Sequence, residues 1–124
     1  MASDQDRPHP LQGRNKLLRV FIAEADKVHG APLHEAILLA AREQGVAGVT
    51  VLRGVAAYGA SSRLHTAKVL RLSEDLPLVL EIVDTEANIE AFLTTLHELL
   101  DAAGCGGLIT MEAVDVIRYF PRNS

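Results

Sequence analysis

The 124-residue sequence holds a single cysteine, Cys105, so no internal disulfide and no multi-cysteine metal site can form within one chain. A lone thiol agrees with a reducing compartment, and the expected location is the cytoplasm. No apolar run approaches the roughly 20 residues of a membrane span. The opening MASDQDRPHPLQGRN has no apolar segment of the kind a signal peptide needs and carries two acids. Residues 1–15 therefore read as a disordered tail. The chain also lacks a positive balance: twelve basic against sixteen acidic residues give a net charge of −4. This argues against a general attraction for nucleic acid or for an anionic membrane surface. The most informative absence is local, because residues 44–73 contain no Asp or Glu while Arg53, Arg63, Lys68 and Arg71 all fall there.

What is present fits one domain over residues 16–121, with 122–124 as a short tail; 48% of the chain is hydrophobic. KLLRVFIAEAD has strand character, with Leu18, Val20 and Ile22 on one face and Leu17 and Phe21 on the other. KVHG reads as a loop. APLHEAILLAAREQG reads as a helix that starts near Pro32, places Leu33, Ile37, Ala40 and Ala41 at helical spacing and stops at Gly45. A second strand spans Val49 to Leu52, and a third, LPLVLEIVDT, is apolar on both faces except at Glu81. In EANIEAFLTTLHELLDAAG, Ile89, Phe92, Leu93, Leu96, Leu99 and Leu100 form one stripe, with Thr85 or Asp84 as cap and Gly104 just past the end. Ala113 to Tyr119 alternates as a fourth strand ending at Pro121.

The order β-α-β-β-α-β predicts an α+β ferredoxin-like sandwich, a four-stranded antiparallel sheet with both helices on one face. The other face is then bare. It would carry Leu17, Phe21, Val79 and Val83, or their opposite set, a larger apolar patch than monomers usually show, which points to self-association.

Two segments carry candidate chemistry. RGVAAYGASSRLHTAK, residues 53–68, concentrates positive charge in an acidic protein and so implies an anionic ligand. Gly54 and Gly59 permit close backbone approach, Ser61, Ser62 and Thr66 offer hydroxyls, Arg53, Arg63 or Lys68 can pair with phosphate, and Tyr58 offers a flat surface for a base. The competing reading is a solvated hairpin whose charges only keep it soluble. GCGGLIT has Gly104, Gly106 and Gly107 where a helix cap needs one glycine, so a backbone nest for an anion competes with a plain cap and turn.

The segments VFIAEADKVHGAPLHEAI, GVAGVTVLRGVAAYGASSRLHTAKVLRLSEDLPLVLEIVD and GLITMEAVDVIRY resemble the PII-like superfamily of trimeric signalling proteins, and within it the branch known as domain of unknown function 190. The resemblance spans Leu17 to Tyr119. It implies a homotrimer with sheets packed inward and an adenine nucleotide in each cleft between subunits. The nucleotide would be held by the base of a long loop after the second strand, here Ala57 to Lys68, and by the glycine-rich loop Gly104 to Thr110. Arg118, on the last strand, resembles a basic residue that reaches the phosphates. Two departures matter: Ala57-Tyr58-Gly59 stands where the superfamily commonly has Gly-aromatic-Gly, and Gly107 where it usually has Lys. Both weaken a polyphosphate grip, so the expected ligand is AMP, ahead of ADP and ATP. The implied role is a sensor whose mobile loop, Ala60 to Lys68, regulates a partner such as a membrane transporter or an enzyme.

Three other readings compete. His29 and His34 lie near Glu24 and Asp26, but the spacing defines no metal geometry, and solvent-facing histidines account for them. A small ferredoxin-like enzyme lacks a nominee: Ser61 and Ser62 have His65 nearby but no orienting acid, and Cys105 has no local His. A ligand-independent oligomeric interaction protein would use the same loop without any nucleotide.

Overall fold

Alternation with period two and stripes with period three to four decide which surfaces meet. The computed structural model describes residues 10–58, 64–65 and 76–121. Among these, the elements run β1 (Gly13–Ala23), β2 (Lys27–Val28), β3 (Ala31–Pro32), α1 (Leu33–Glu43), β4 (Thr50–Arg53), β5 (Ala57–Tyr58), β6 (Leu64–His65), β7 (Pro77–Asp84), α2 (Glu86–Ala103) and β8 (Leu108–Val116). The four long strands form one antiparallel sheet in the order β4-β7-β1-β8. With two helices, this is the α+β ferredoxin-like sandwich that the element order predicts.

Leu18, Val20 and Ile22 of β1 and Leu78, Leu80 and Ile82 of β7 are buried on the helix side. They meet Leu33, Ile37 and Ala41 of α1 and Ile89, Phe92, Leu96 and Leu100 of α2. Each fully buried Leu, Ile or Phe contributes about 1.5–3 kcal/mol, so this layer is the main stabilising term. Thr85 caps α2 by accepting the Asn88 N–H at 3.2 Å, and Gly104 ends it at φ 65°, in the left-handed region that suits glycine. Asp84 is fully buried beside that cap and accepts from the Thr85 N–H at 2.7 Å, the Asn88 side-chain amide at 3.1 Å and the Ala47 N–H at 2.9 Å. One carboxylate thus ties the loop after α1 to the start of α2.

Four boundaries differ from the sequence reading. β1 begins at Gly13, inside the stretch read as tail, because β8 extends far enough to pair with it, Gly13 opposite Val116, and Leu11 is buried with its N–H on the Tyr119 carbonyl. The last strand is Leu108–Val116 rather than Ala113 to Tyr119, so Arg118 lies beyond it, not on it. KVHG is not a plain loop: β2 and β3 form a small hairpin whose turn residues His29 and Gly30 have φ of 50° and 80°, as a type I′ turn requires. Within the cationic stretch, β5 and β6 pair as a separate ribbon, Ala57 with His65 and Tyr58 with Leu64.

Candidate functional site

The bare face of the sheet is ordered in rows, because antiparallel pairing sets side chains opposite one another. Leu52, Val79, Phe21 and Leu108 align across all four strands, and Phe21, Leu52 and Leu108 are 36%, 47% and 56% exposed. The next row is polar: Thr50, Glu81, Arg19 and Thr110. Arg19 donates to Glu81 at 3.0 Å and to Glu112 at 2.5 Å, and the Glu81 bond, with the Glu112 bond behind it, raises the guanidinium pKa. Leu17 and Val83 complete the face. Of the two alternatives left by the strand pattern, the set Leu17, Phe21, Val79 and Val83 is the one that faces out. Arg19, Glu81 and Glu112 were missed in the sequence; opposite charges at same-face positions of the first and third strands were the available signal for Arg19 and Glu81, while Glu112 lay outside the last strand as read from Ala113.

At one end of this sheet the chain leaves β4 and re-enters β7. Arg53, the last residue of β4, pairs with Glu24, which follows β1. Gly54 donates its N–H to the Pro77 carbonyl at 2.7 Å, and a Cβ at Gly54 would stand 2.9 Å from Pro77 Cγ. The close approach that this glycine permits is therefore to Pro77, within the fold. The backbone of Tyr58 lies in β5; Gly59, Ser61, Ser62, Arg63 and Lys68 lie outside the described residues, as do residues 1–9 of the expected tail.

The glycine loop before β8 stands at the same end, on the opposite edge strand. Its three glycines have different reasons to be there. Gly104 is the helix cap, its N–H on the Asp101 carbonyl at 3.1 Å. Gly107 runs so close to β1 that a Cβ would meet the Phe21 carbonyl oxygen at 2.8 Å. Gly106 has open space around it and a backbone that any residue could adopt. Between them, Cys105 donates its thiol to Asp26 at 3.2 Å, and Asp26 also accepts the Ala23 N–H at 2.8 Å. Burial first, and then the Asp26 carboxylate, push the thiol pKa up to about 11. The loop follows a helix C-terminus, where carbonyls carry partial negative charge, so it offers an anion little field of its own.

Arg118 lies at the other end. Its guanidinium stacks 5.5 Å from the centroid of the Phe120 ring. It lines a groove of about 630 Å³ on the bare face together with Leu17, Thr50, Val83, Val114 and Ile117. The Tyr119 hydroxyl donates to the Ala47 carbonyl at 2.8 Å and fixes the chain there. One chain therefore divides the expected site residues three ways. Arg53 and Gly54 sit on one edge, and Gly104, Gly106 and Gly107 on the other, about 14 Å away by three strand spacings. Arg118 is farther still, since β8 alone spans about 27 Å.

Among the described residues no group of three or more His, Cys, Asp and Glu could hold a metal ion, and no helix is long and apolar enough to cross a membrane. His29 occupies the exposed hairpin turn, and His34, on α1, keeps a buried Nδ1 without a hydrogen-bond partner.

Comparison with known proteins places these features in a family. The model of DUF190, described as uncharacterized ACR, matches residues 15–116. A UPF0166 protein of Aquifex aeolicus is 38% identical over 104 residues, which cover 84% of this chain and 94% of that protein. One of Methanocaldococcus jannaschii is 33% identical over 89 residues, covering 72% and 82%. The fold is that of CPII, a nitrogen regulatory PII-like protein of Thiomonas intermedia K12, solved bound to ADP, AMP and bicarbonate. The TM-score is 0.64 at 14% identity, covering 89% of this chain and 92% of that one.

Proposed function

The chain belongs to the DUF190 family, and from that premise we propose that it is a PII-like signalling protein that senses an adenine nucleotide between subunits of a homotrimer. The observation that carries the reading is that the β4 exit and the glycine loop before β8 stand at one end of the sheet on opposite edges. In a cyclic assembly with head-to-tail contacts, the β4 edge of one copy meets the β8 edge of the next, and the two come together. The apolar row Leu52, Val79, Phe21 and Leu108 supplies the surface that such packing buries. The fold relative CPII, bound to ADP and AMP, supports the class of ligand.

Binding at about 1 μM needs about 8 kcal/mol, and a charged hydrogen bond contributes about 1.5–3. Two arginines do not suffice, so an adenine enclosed between subunits supplies the rest, and assembly precedes binding. The ligand is one with few phosphates, AMP or ADP, because Arg53 is already paired and the glycine loop carries no Lys. Occupancy then changes how the loop through Ala60 to Lys68 engages a protein partner, a transporter or an enzyme. No reaction is assigned to the site: a thiol held at about 11 is protonated near neutral pH and is no nucleophile.

A thermal-shift series with AMP, ADP, ATP and cyclic nucleotides, beside native mass spectrometry, tests this. Ligand at about 100 times Kd adds about 2.7 kcal/mol, which for a domain of this size raises Tm by roughly 8–12 °C. A trimer that responds to none of the nucleotides favours the ligand-independent interaction protein instead.

A further inference from the structure

The turn after β1 carries two carboxylates with different partners. Asp26 is satisfied inside the fold by the Ala23 N–H and the Cys105 thiol. Glu24 donates its own N–H to the Leu76 carbonyl at 2.7 Å, which fixes it beside the start of β7, and its carboxylate takes the Arg53 guanidinium. Because β7 lies between β1 and β4, the pair bridges over the first residues of β7. The Glu24 side chain is 23% exposed and that of Arg53 61%, so the acid is set into the surface and the arginine lies over it. An arginine held in this way is not a free anion receptor. To take a phosphate oxygen it must leave or share its carboxylate, and the carboxylate then faces the incoming anion as a like charge.

We propose that Glu24 is a built-in competitor for the anion at the β4 exit: it neutralises Arg53 in the ligand-free protein and opposes the phosphate that displaces it. Glu24 is a positioning residue, acting through Arg53 without touching the ligand. The inference rests on the nucleotide reading above and adds a regulation to it, because a retained negative charge opposes ATP more than AMP. The chain thereby selects for few phosphates with a residue outside both candidate loops.

Calorimetric titration of the full chain with AMP, ADP and ATP tests the proposal on wild type, Glu24→Gln, Arg53→Ala and the double variant. Glutamine keeps the shape of Glu24, and an unchanged far-UV spectrum and Tm check the fold. Glu24→Gln is expected to tighten binding by roughly two- to fivefold, the size of one exposed ion pair, and more for ATP than for AMP. The gain is smaller in the Arg53→Ala background, where only the like-charge repulsion is left to remove, and it shrinks at about 0.5 M salt, where exposed charges are screened; a merely structural role shows neither dependence. Wild-type binding with no gain in Glu24→Gln, or an equal gain without Arg53, overturns the proposal and leaves the nucleotide reading intact. Binding by Glu24→Gln alone supports it as full autoinhibition, and binding by neither protein overturns both.

Discussion

Replacing the three glycines before β8 by alanine, one at a time, separates geometry from ligand chemistry, because the fold assigns each a different sign. At Gly107 the new Cβ meets the Phe21 carbonyl oxygen at 2.8 Å and Ile22 Cγ2 at 3.2 Å. The first neighbour is backbone of a central strand and cannot yield, so β8 must shift away from β1. Overpacking of this kind costs about 1–3 kcal/mol, or roughly 4–12 °C in Tm for a domain of this size. At Gly104 there is space, but φ is 65°, and an alanine held there costs about 1 kcal/mol. At Gly106 neither penalty applies, and the loss of unfolded-state entropy stabilises by about 0.4–1 kcal/mol. Thermal and urea unfolding, at one protein concentration since assembly shifts Tm, read the three values. If the loop approaches a nucleotide through its backbone, Gly106→Ala also weakens nucleotide binding while raising Tm. A Gly106→Ala protein destabilised as much as Gly107→Ala refutes the reasoning.

Other consequences follow from the bare face, the buried acid and the thiol. Val79→Lys puts a charge into the apolar row and is expected to yield a monomer by native mass spectrometry that no longer binds nucleotide; retained binding in a monomer contradicts the intersubunit site. Asp84→Ala removes the acceptor of three hydrogen bonds and leaves buried donors behind, a loss of about 3 kcal/mol or more in urea unfolding. Cys105, with its pKa raised to about 11, is only about one part in a thousand thiolate at pH 8, so alkylation is slow there and accelerates as pH rises toward 11. Asp26→Asn, which removes the carboxylate that opposes ionisation, moves that acceleration to lower pH; an unshifted profile shows that the carboxylate does not act on the thiol.

The two helices and the four strands of the main sheet were legible because each follows from nearest neighbours in the chain, whereas the β2–β3 hairpin and the β5–β6 ribbon were not. Leu18, Val20 and Ile22 alternate with Leu17, Arg19 and Phe21, and the stripe from Ile89 to Leu100 repeats at helical spacing, so strand, helix and the two-faced nature of the sheet need no distant partner. The same local signals put the ends of the second helix at Thr85 or Asp84 and at Gly104, and the structure chooses Thr85 as the cap. Boundaries slipped where a distant strand decided them, as at Gly13, which extends β1 because Val116 lies opposite.

The candidate site was legible only as an inventory. The acid-free stretch from 44 to 73 and the glycine cluster were visible as composition, and Arg118 only through the family resemblance. Their arrangement was not. That Arg53 is neutralised by Glu24, that Gly54 and Gly107 are glycines because Pro77 and Phe21 lie against them, and that Arg118 stands at the far end all depend on the order β4-β7-β1-β8. Sequence determined which surfaces had to be buried, since hydrophobic burial reads only the spacing of apolar side chains. Only the tertiary structure decided which loops share an end of the sheet, because alternation along a strand is the same whichever neighbour it pairs with, and the choice of neighbour is made by the packing of the whole chain.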